Sequence, residues 1–285
     1  MSLPVLSHSE ADAFELCERR HYYAFGEKLA RKTVSKSLQR GILGHEVLHT
    51  YFRVYQETNS LKAAAAASDR LLGSMLFEDE KRDTALELKP LLDYFFSVFE
   101  DKFAGWQIQG VEEVNRLAFP DFQFVFQVDL RYKEGGFEYI LDWKFTYDFY
   151  SGDMQSLLPQ VPRYTGALRA LGKNIRSGRY GFIRYRNLKS TDPYDKFGII
   201  PMDLSKARIE SAFRDLILTQ KKIAAKKAMP LSEWKDNVSR TANQLVCKSC
   251  SFASLCVAEA NGSDGKVIRA TYYKPSEYGY SEEES

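Results

Sequence analysis

The chain has 285 residues, 44% hydrophobic and 14% aromatic, ample for one large domain or two small ones. No apolar run reaches the length of a membrane span, and the N-terminal MSLPVLSHSEADAFE lacks the basic-then-apolar order of a secretory signal; a cytoplasmic, membrane-free protein is expected. Forty basic residues against thirty-eight acidic give +2, a balance that by itself points to no partner.

Ser7-x-x-Glu10 reads as a capping box and predicts a helix to about Tyr23 that carries Phe14 and Cys17. Val47, Leu48, Tyr51, Phe52 and Tyr55 recur at helical spacing and predict a second helix over roughly 37–57. Helical segments follow at about 61–77 and 85–103. The pattern then alternates and becomes rich in aromatic and β-branched residues over 112–119, 122–132 and 137–145, which predicts three strands. Gly135-Gly136 is a two-residue hairpin turn signal between the last two. A helix over about 156–171, strands near 180–185 and 197–201, and a helix over about 204–227 complete the order. No repeat or linker interrupts it. A single α/β domain over 1–260 is expected: a helical part (1–105), a sheet core (106–203), then a helix and cysteine segment (204–260). The 261–285 tail ends in acid, has no apolar period and is expected to be flexible.

His45-Glu46-Val47-Leu48-His49 matches H-E-x-x-H, in which two histidines one helical turn apart hold Zn²⁺ and the glutamate activates a water. The longer form of that protease motif needs Gly and His where this chain has Phe52 and Tyr55. A zinc metalloprotease is therefore a minor alternative, and His49 reads better as a packed helix residue.

If Gly135-Gly136 are the turn, hairpin partners sum to 271 and Asp129 faces Asp142, with Lys144 on the same face. Two carboxylates so close repel unless a cation lies between them. Oxygen ligands suit Mg²⁺ or Mn²⁺, and an adjacent lysine holds or polarises a water; together these are equipment for phosphodiester hydrolysis. A surface Asp–Lys cluster is the alternative. It fits poorly with the aromatic and aliphatic sequence around both acids (FQFVFQVDL, YILDWKF).

QVDLRY, then ILDWK, then Gln160-Val161-Pro162-Arg163-Tyr164, with His45 after a glycine-bearing helix start (GILGH), resembles the RecB-type branch of the PD-(D/E)XK nucleases. The resemblance implies a restriction-endonuclease-like core and a metal held by His45, Asp129, Asp142 and the backbone carbonyl of Trp143. It implies a catalytic role for Lys144, with Gln160 and Tyr164 placing the DNA backbone. Two departures stand out: Gln127 replaces a frequent glycine two residues before Asp129, and Trp143 fills the middle of D-x-K. Glu113 on the preceding strand reads as a solvent-side residue.

Cys247, Cys250 and Cys256 form C-x₂-C-x₅-C, and Cys17 lies alone near the other end; the spacing reads as a metal site rather than a disulfide framework. The same arrangement resembles the iron–sulfur nucleases of the AddB-domain and CRISPR-associated Cas-four types. That resemblance implies a 4Fe–4S cluster on all four cysteines, with a Cys₄ zinc site as the alternative occupant. The expected activity is Mg²⁺- or Mn²⁺-dependent exonucleolytic cleavage of single-stranded DNA or DNA ends. The alternative is a catalytically silent DNA-binding subunit, and helicase–nuclease or CRISPR adaptation complexes are the implied assemblies. Arg19, Arg20, Arg184 and Arg186 are the candidate backbone contacts. Lys221, Lys222, Lys226 and Lys227 read as a solvated helix face.

Overall fold

The computed structural model describes residues 3–148, 157–186, 192–202 and 204–276. The expected helix start at Ser156 and the tail beyond residue 276 lie outside these. In chain order the elements are β1 (Val5–Ser7), α1 (His8–Leu16), α2 (Glu18–His21), β2 (Leu29–Arg31), α3 (Lys36–Thr58), α4 (Leu61–Met75) and α5 (Asp79–Ala104). Then come β3 (Gln107–Ala118), β4 (Gln123–Glu134), β5 (Phe137–Thr146), α6 (Gln160–Ala170), β6 (Ile175–Arg184) and β7 (Phe197–Pro201). The chain closes with α7 (Lys206–Lys227), α8 (Leu231–Asp236), α9 (Gln244–Lys248), α10 (Ala253–Ala260), α11 (Lys266–Tyr272) and β8 (Tyr273–Pro275). No helix among the described residues is long and apolar enough to cross a membrane.

These elements form two compact units. One comprises residues 35–118 and 125–213; the other is assembled from 1–34, 119–124 and 214–285.

The first unit is built on a mixed sheet. β3 pairs with β4, β4 with β5 antiparallel, β5 with β6 parallel and β6 with β7 antiparallel. The β4–β5 hairpin closes on Gly135 (φ 56°) and Gly136 (φ 81°), both left-handed, as a two-residue turn of this twist requires. Its register runs Leu130↔Leu141 through Glu134↔Phe137, the expected sum of 271. Trp143 projects to one face of β5, and its ring lies flat on Gly181 of β6, where a Cβ would come within 2.2 Å of it. On that side Trp143 stacks on Phe52 of α3 (5.7 Å) and meets Phe95 of α5 edge-on (5.6 Å). Asp142 and Lys144 alternate to the other side, where α6 packs. Gly178 admits Val161 of α6 there at 2.2 Å from the position of a Cβ. A core of Tyr51, Phe96, Phe103, Trp106 and Tyr132 joins the helices to the sheet, with Trp106 stacked on Tyr132 at 3.9 Å. Area removed from water on this scale is the main stabilising term.

The second unit holds the cysteines. Ser7 caps α1 by accepting from the Glu10 N–H (3.1 Å). The Glu10 carboxylate does not reach back to complete the box; it accepts from His21 (3.0 Å) and pairs with Lys227 (2.6 Å). The single helix expected up to Tyr23 is broken at Cys17, whose backbone is extended (φ −168°, ψ 118°). Tyr22, Tyr23, Trp234, Phe252 and Tyr273 make an aromatic core against which Cys250 and Cys256 pack. The segment expected to be loose is ordered through Pro275: α11 is followed by β8, which pairs antiparallel with β2. Tyr272 is exposed, but Tyr273 is buried and donates to the Ser251 carbonyl (2.8 Å).

Candidate active site

His45 lies on α3, Glu112 on β3 and Asp129 on β4. A ring nitrogen of His45 and one carboxylate oxygen of each acid all lie within 4.8 Å of one another. His45 Nδ1 is 3.5 Å from Asp129 Oδ2, and that same oxygen accepts from the Trp143 backbone N–H at 2.7 Å. The strand after the hairpin thus fixes the first carboxylate through main chain, independently of side-chain freedom.

Asp142 is buried and both of its oxygens are engaged. Oδ1 accepts from Gln160 Nε2 (2.6 Å), and Oδ2 pairs with Lys144 Nζ (2.7 Å). Gln160 in turn accepts from Lys144 Nζ through Oε1 (2.7 Å), and its Nε2 lies 3.2 Å from the Tyr164 hydroxyl. Gln160 and Tyr164 are one turn apart on α6, so a single helix face meets Asp142 and Lys144. Asp142, Lys144, Gln160 and Tyr164 therefore meet, and Asp129 is tied to β5 beside them through the Trp143 N–H. The donors nearest His45, however, are Glu112 and Asp129 rather than Asp129 and Asp142.

Glu112 is the residue that the sequence did not indicate. Two glutamates are adjacent, and strand alternation alone does not say which turns inward. In the structure Glu113 is taken by Arg131 through two hydrogen bonds (2.7 and 2.8 Å), and Arg131 also holds Glu138. Glu112 has φ 54°, a left-handed value uncommon for a non-glycine residue, and its carboxylate accepts from Gln127 Nε2 at 2.6 Å.

The electrostatics follow from this crowding. Burial, then the charges of Asp129 and Asp142, push the Glu112 carboxyl up to about 8. Burial and the neighbouring Asp142 also raise Asp129, against the opposing pull of His45 and Lys144. An imidazole beside two carboxylates that resist ionising together is a donor set suited to a divalent cation, and oxygen-rich sites of this kind fit Mg²⁺ or Mn²⁺.

A family model described as the PD-(D/E)XK nuclease superfamily matches residues 5–257. The chain belongs to the PD-(D/E)XK nuclease superfamily. The mixed sheet flanked by helices is the restriction-endonuclease-like fold of that superfamily, whose members are metal-dependent nucleases. Among solved structures, one titled "Crystal structure of SSO0001" is 15% identical, covering 75% of this chain and 83% of that one, with a TM-score of 0.32. No curated protein matches the chain.

Membership of the nuclease superfamily removes the protease alternative, and the geometry agrees. His45 groups with Glu112 and Asp129 rather than with His49, and Glu46 is exposed. Burial lowers the His49 pKa, as for a packed helix residue.

Elsewhere in the nuclease chain, Cys17 accepts from the Thr241 N–H (3.4 Å) and Cys247 Sγ donates to the Thr241 carbonyl (3.4 Å). Burial raises the Cys17 thiol, but backbone N–H groups of Thr241, Arg20 and Arg19 outweigh it and hold the pKa below the ordinary value. Burial raises Cys250, with Cys17 and Cys256 close enough to add to the effect. Donors aimed at a sulfur, and cysteines near enough to feel one another, suit a bound metal centre. The expected DNA-contacting arginines are less available. Arg19 is buried, 3.7 Å from Glu259 and stacked over the Tyr22 and Tyr23 rings, because those aromatic rings take up its guanidinium. Arg20 is half-buried. Arg184 and Arg186 both pair with Asp148 (2.9 and 3.0 Å).

Proposed function

We propose that this nuclease hydrolyses DNA exonucleolytically, acting on single strands or ends, and that it carries a 4Fe–4S cluster on Cys17, Cys247, Cys250 and Cys256. The observation that carries the catalytic reading is the convergence of His45, Asp129, Asp142 and Lys144, with Gln160 bridging the last two. His45, Asp129, Asp142 and the Trp143 carbonyl would hold Mg²⁺ or Mn²⁺. The bound ion supplies Lewis acidity to a phosphate oxygen and a more acidic water. Lys144, fixed between Asp142 and Gln160, orients the attacking water. Gln160 and Tyr164, on one helix face, position the DNA backbone. A site that sits on strands and a packed helix holds these groups in place before substrate arrives.

The cysteine reading rests on their spacing and on the backbone N–H groups around Cys17. A cluster there ties α2 to the helical segments that follow α7 and contributes folding energy. Zinc accepts the same ligands, and metal analysis separates the two. Recombination, repair or CRISPR adaptation assemblies are the expected setting for such an enzyme.

The deciding experiment is degradation of end-labelled single-stranded DNA with Mn²⁺ or EDTA, comparing wild type with Asp142→Ala. Metal-dependent loss of label that disappears in the variant supports the reading. Intact DNA with both proteins, while binding persists, favours a DNA-binding accessory subunit.

A further inference from the structure

Within that metal-dependent reading, on which this inference rests, we infer that Glu112 is a direct ligand of the divalent ion and that Gln127 is its positioning residue. Neither is among the residues on which the resemblance rests, His45, Asp129, the D-x-K of β5 and the Gln160/Tyr164 pair. Gln127 stands where that pattern often has glycine.

Three observations carry the assignment. First, a Glu112 oxygen lies within 4.8 Å of donor atoms on both His45 and Asp129, so the three converge on one point. Second, Glu112 reaches that point only because its backbone is left-handed (φ 54°). For a residue with a Cβ this conformation is strained, and such strain concentrates at functional sites. It breaks the alternation of β3, so Glu112 joins the site while Glu113 pairs with Arg131. Third, Gln127 Nε2 donates to Glu112 Oε2 at 2.6 Å and lies 3.5 Å from the Glu112 carbonyl oxygen. That contact occupies one carboxylate oxygen and leaves the other for a ligand. A glutamate serving only the surface has no reason to sit in a strained conformation against a second, mostly buried carboxylate.

The division of labour follows from charge. Asp142 has both oxygens committed to Lys144 and Gln160. Glu112 adds a carboxylate to the ion site beside Asp129 and Asp142, the latter shared with Lys144 and Gln160. Gln127 acts through Glu112 and touches neither substrate nor ion.

The test is Mn²⁺ affinity, read without DNA by electron paramagnetic resonance of free Mn²⁺, for wild type, Glu112→Gln, Gln127→Leu and Glu113→Gln. Circular dichroism melts accompany each variant. Gln127→Leu should weaken Mn²⁺ binding by about tenfold or more, the usual effect of removing a group that orients a ligand. Glu112→Gln should weaken it further, at little change in melting temperature. Glu113→Gln should lower the melting temperature and leave Mn²⁺ affinity unchanged. Wild-type affinity in both Glu112→Gln and Gln127→Leu would overturn the assignment and leave the nuclease reading intact. Wild-type protein that neither binds Mn²⁺ nor cleaves DNA would overturn both.

Discussion

The Phe145 ring lies directly on Gly44: a Cβ at that position would come within 2.2 Å of Phe145 Cζ. His45 is the next residue on α3, and its ring is 5.9 Å from the same phenyl group. Gly44→Ala should therefore displace Phe145 and tilt His45. The expected stability loss is about 1–3 kcal/mol, the usual cost of overpacking. Mn²⁺-dependent cleavage should fall by more than the unfolded fraction explains. Thermal melts beside single-turnover cleavage check this. An alanine variant with wild-type melting and rate would show that the contact relaxes without effect.

Lys144→Ala should abolish cleavage while DNA binding survives. The lysine is held by Asp142 and Gln160 and contributes no bulk to the apolar core, so the fold should remain. Fluorescence anisotropy with labelled single-stranded DNA, run beside the cleavage assay, separates the two effects. Retained cleavage would remove Lys144 from the mechanism.

Protein purified without oxygen should show the broad visible absorbance of an iron–sulfur cluster, with about four irons per chain. Cys256→Ala should remove the colour and lower the melting temperature, because Cys256 packs against the Tyr23–Phe252–Tyr273 core. Colourless wild-type protein with one zinc per chain would replace the cluster by a zinc site.

Glu10 links stability to pH. Burial alone would raise its carboxyl, but the hydrogen bond from His21 and the charge of Lys227 outweigh burial and hold it below the ordinary 4.5. A carboxyl depressed in the folded state stabilises fully above its unfolded pKa and loses that contribution as pH falls through the folded value. Glu10→Gln should therefore cost about 1.5–3 kcal/mol near neutrality, as expected for hydrogen bonds to a charged group. The gap to wild type should close below pH 4.5. Urea titrations across acidic pH test the sign; a gap that widens on acidification would refute it.

The hairpin was legible because two independent signals agree there. Gly135-Gly136 fixes the turn, and the alternation of FQFVFQVDL and YILDWKF fixes the register, so Leu130↔Leu141 follows. Placing Asp129, Asp142 and Lys144 on one face then needs only strand periodicity, whereas Gln160 was marked by the resemblance to the nuclease pattern. Glu112 was not legible, because its inward turn depends on a left-handed φ that adjacent glutamates do not announce. Nor was the break at Cys17, since the flanking sequence keeps helical spacing and the extended residue satisfies its N–H on the Ala13 carbonyl. The order of 266–275 was hidden for a different reason. It depends on Tyr273 finding Phe252 and on β8 finding β2, contacts between distant parts of the chain. The charge cluster at Arg19 did not announce that its guanidinium lies over the Tyr22 ring.

The unit that carries the cysteines is drawn from both ends of the chain: Tyr23 bonds to Glu259 across 236 positions. During synthesis the first helices emerge long before the segments that cover them, whereas residues 35–213 are complete while the ribosome is still at work. Nascent chain therefore has a window in which Cys17 is exposed without its three distant companions. Expression of this chain should for that reason depend on chaperones late in translation more than on the folding of the sheet, and the proposed cluster would add a dependence on metal supply at the same stage.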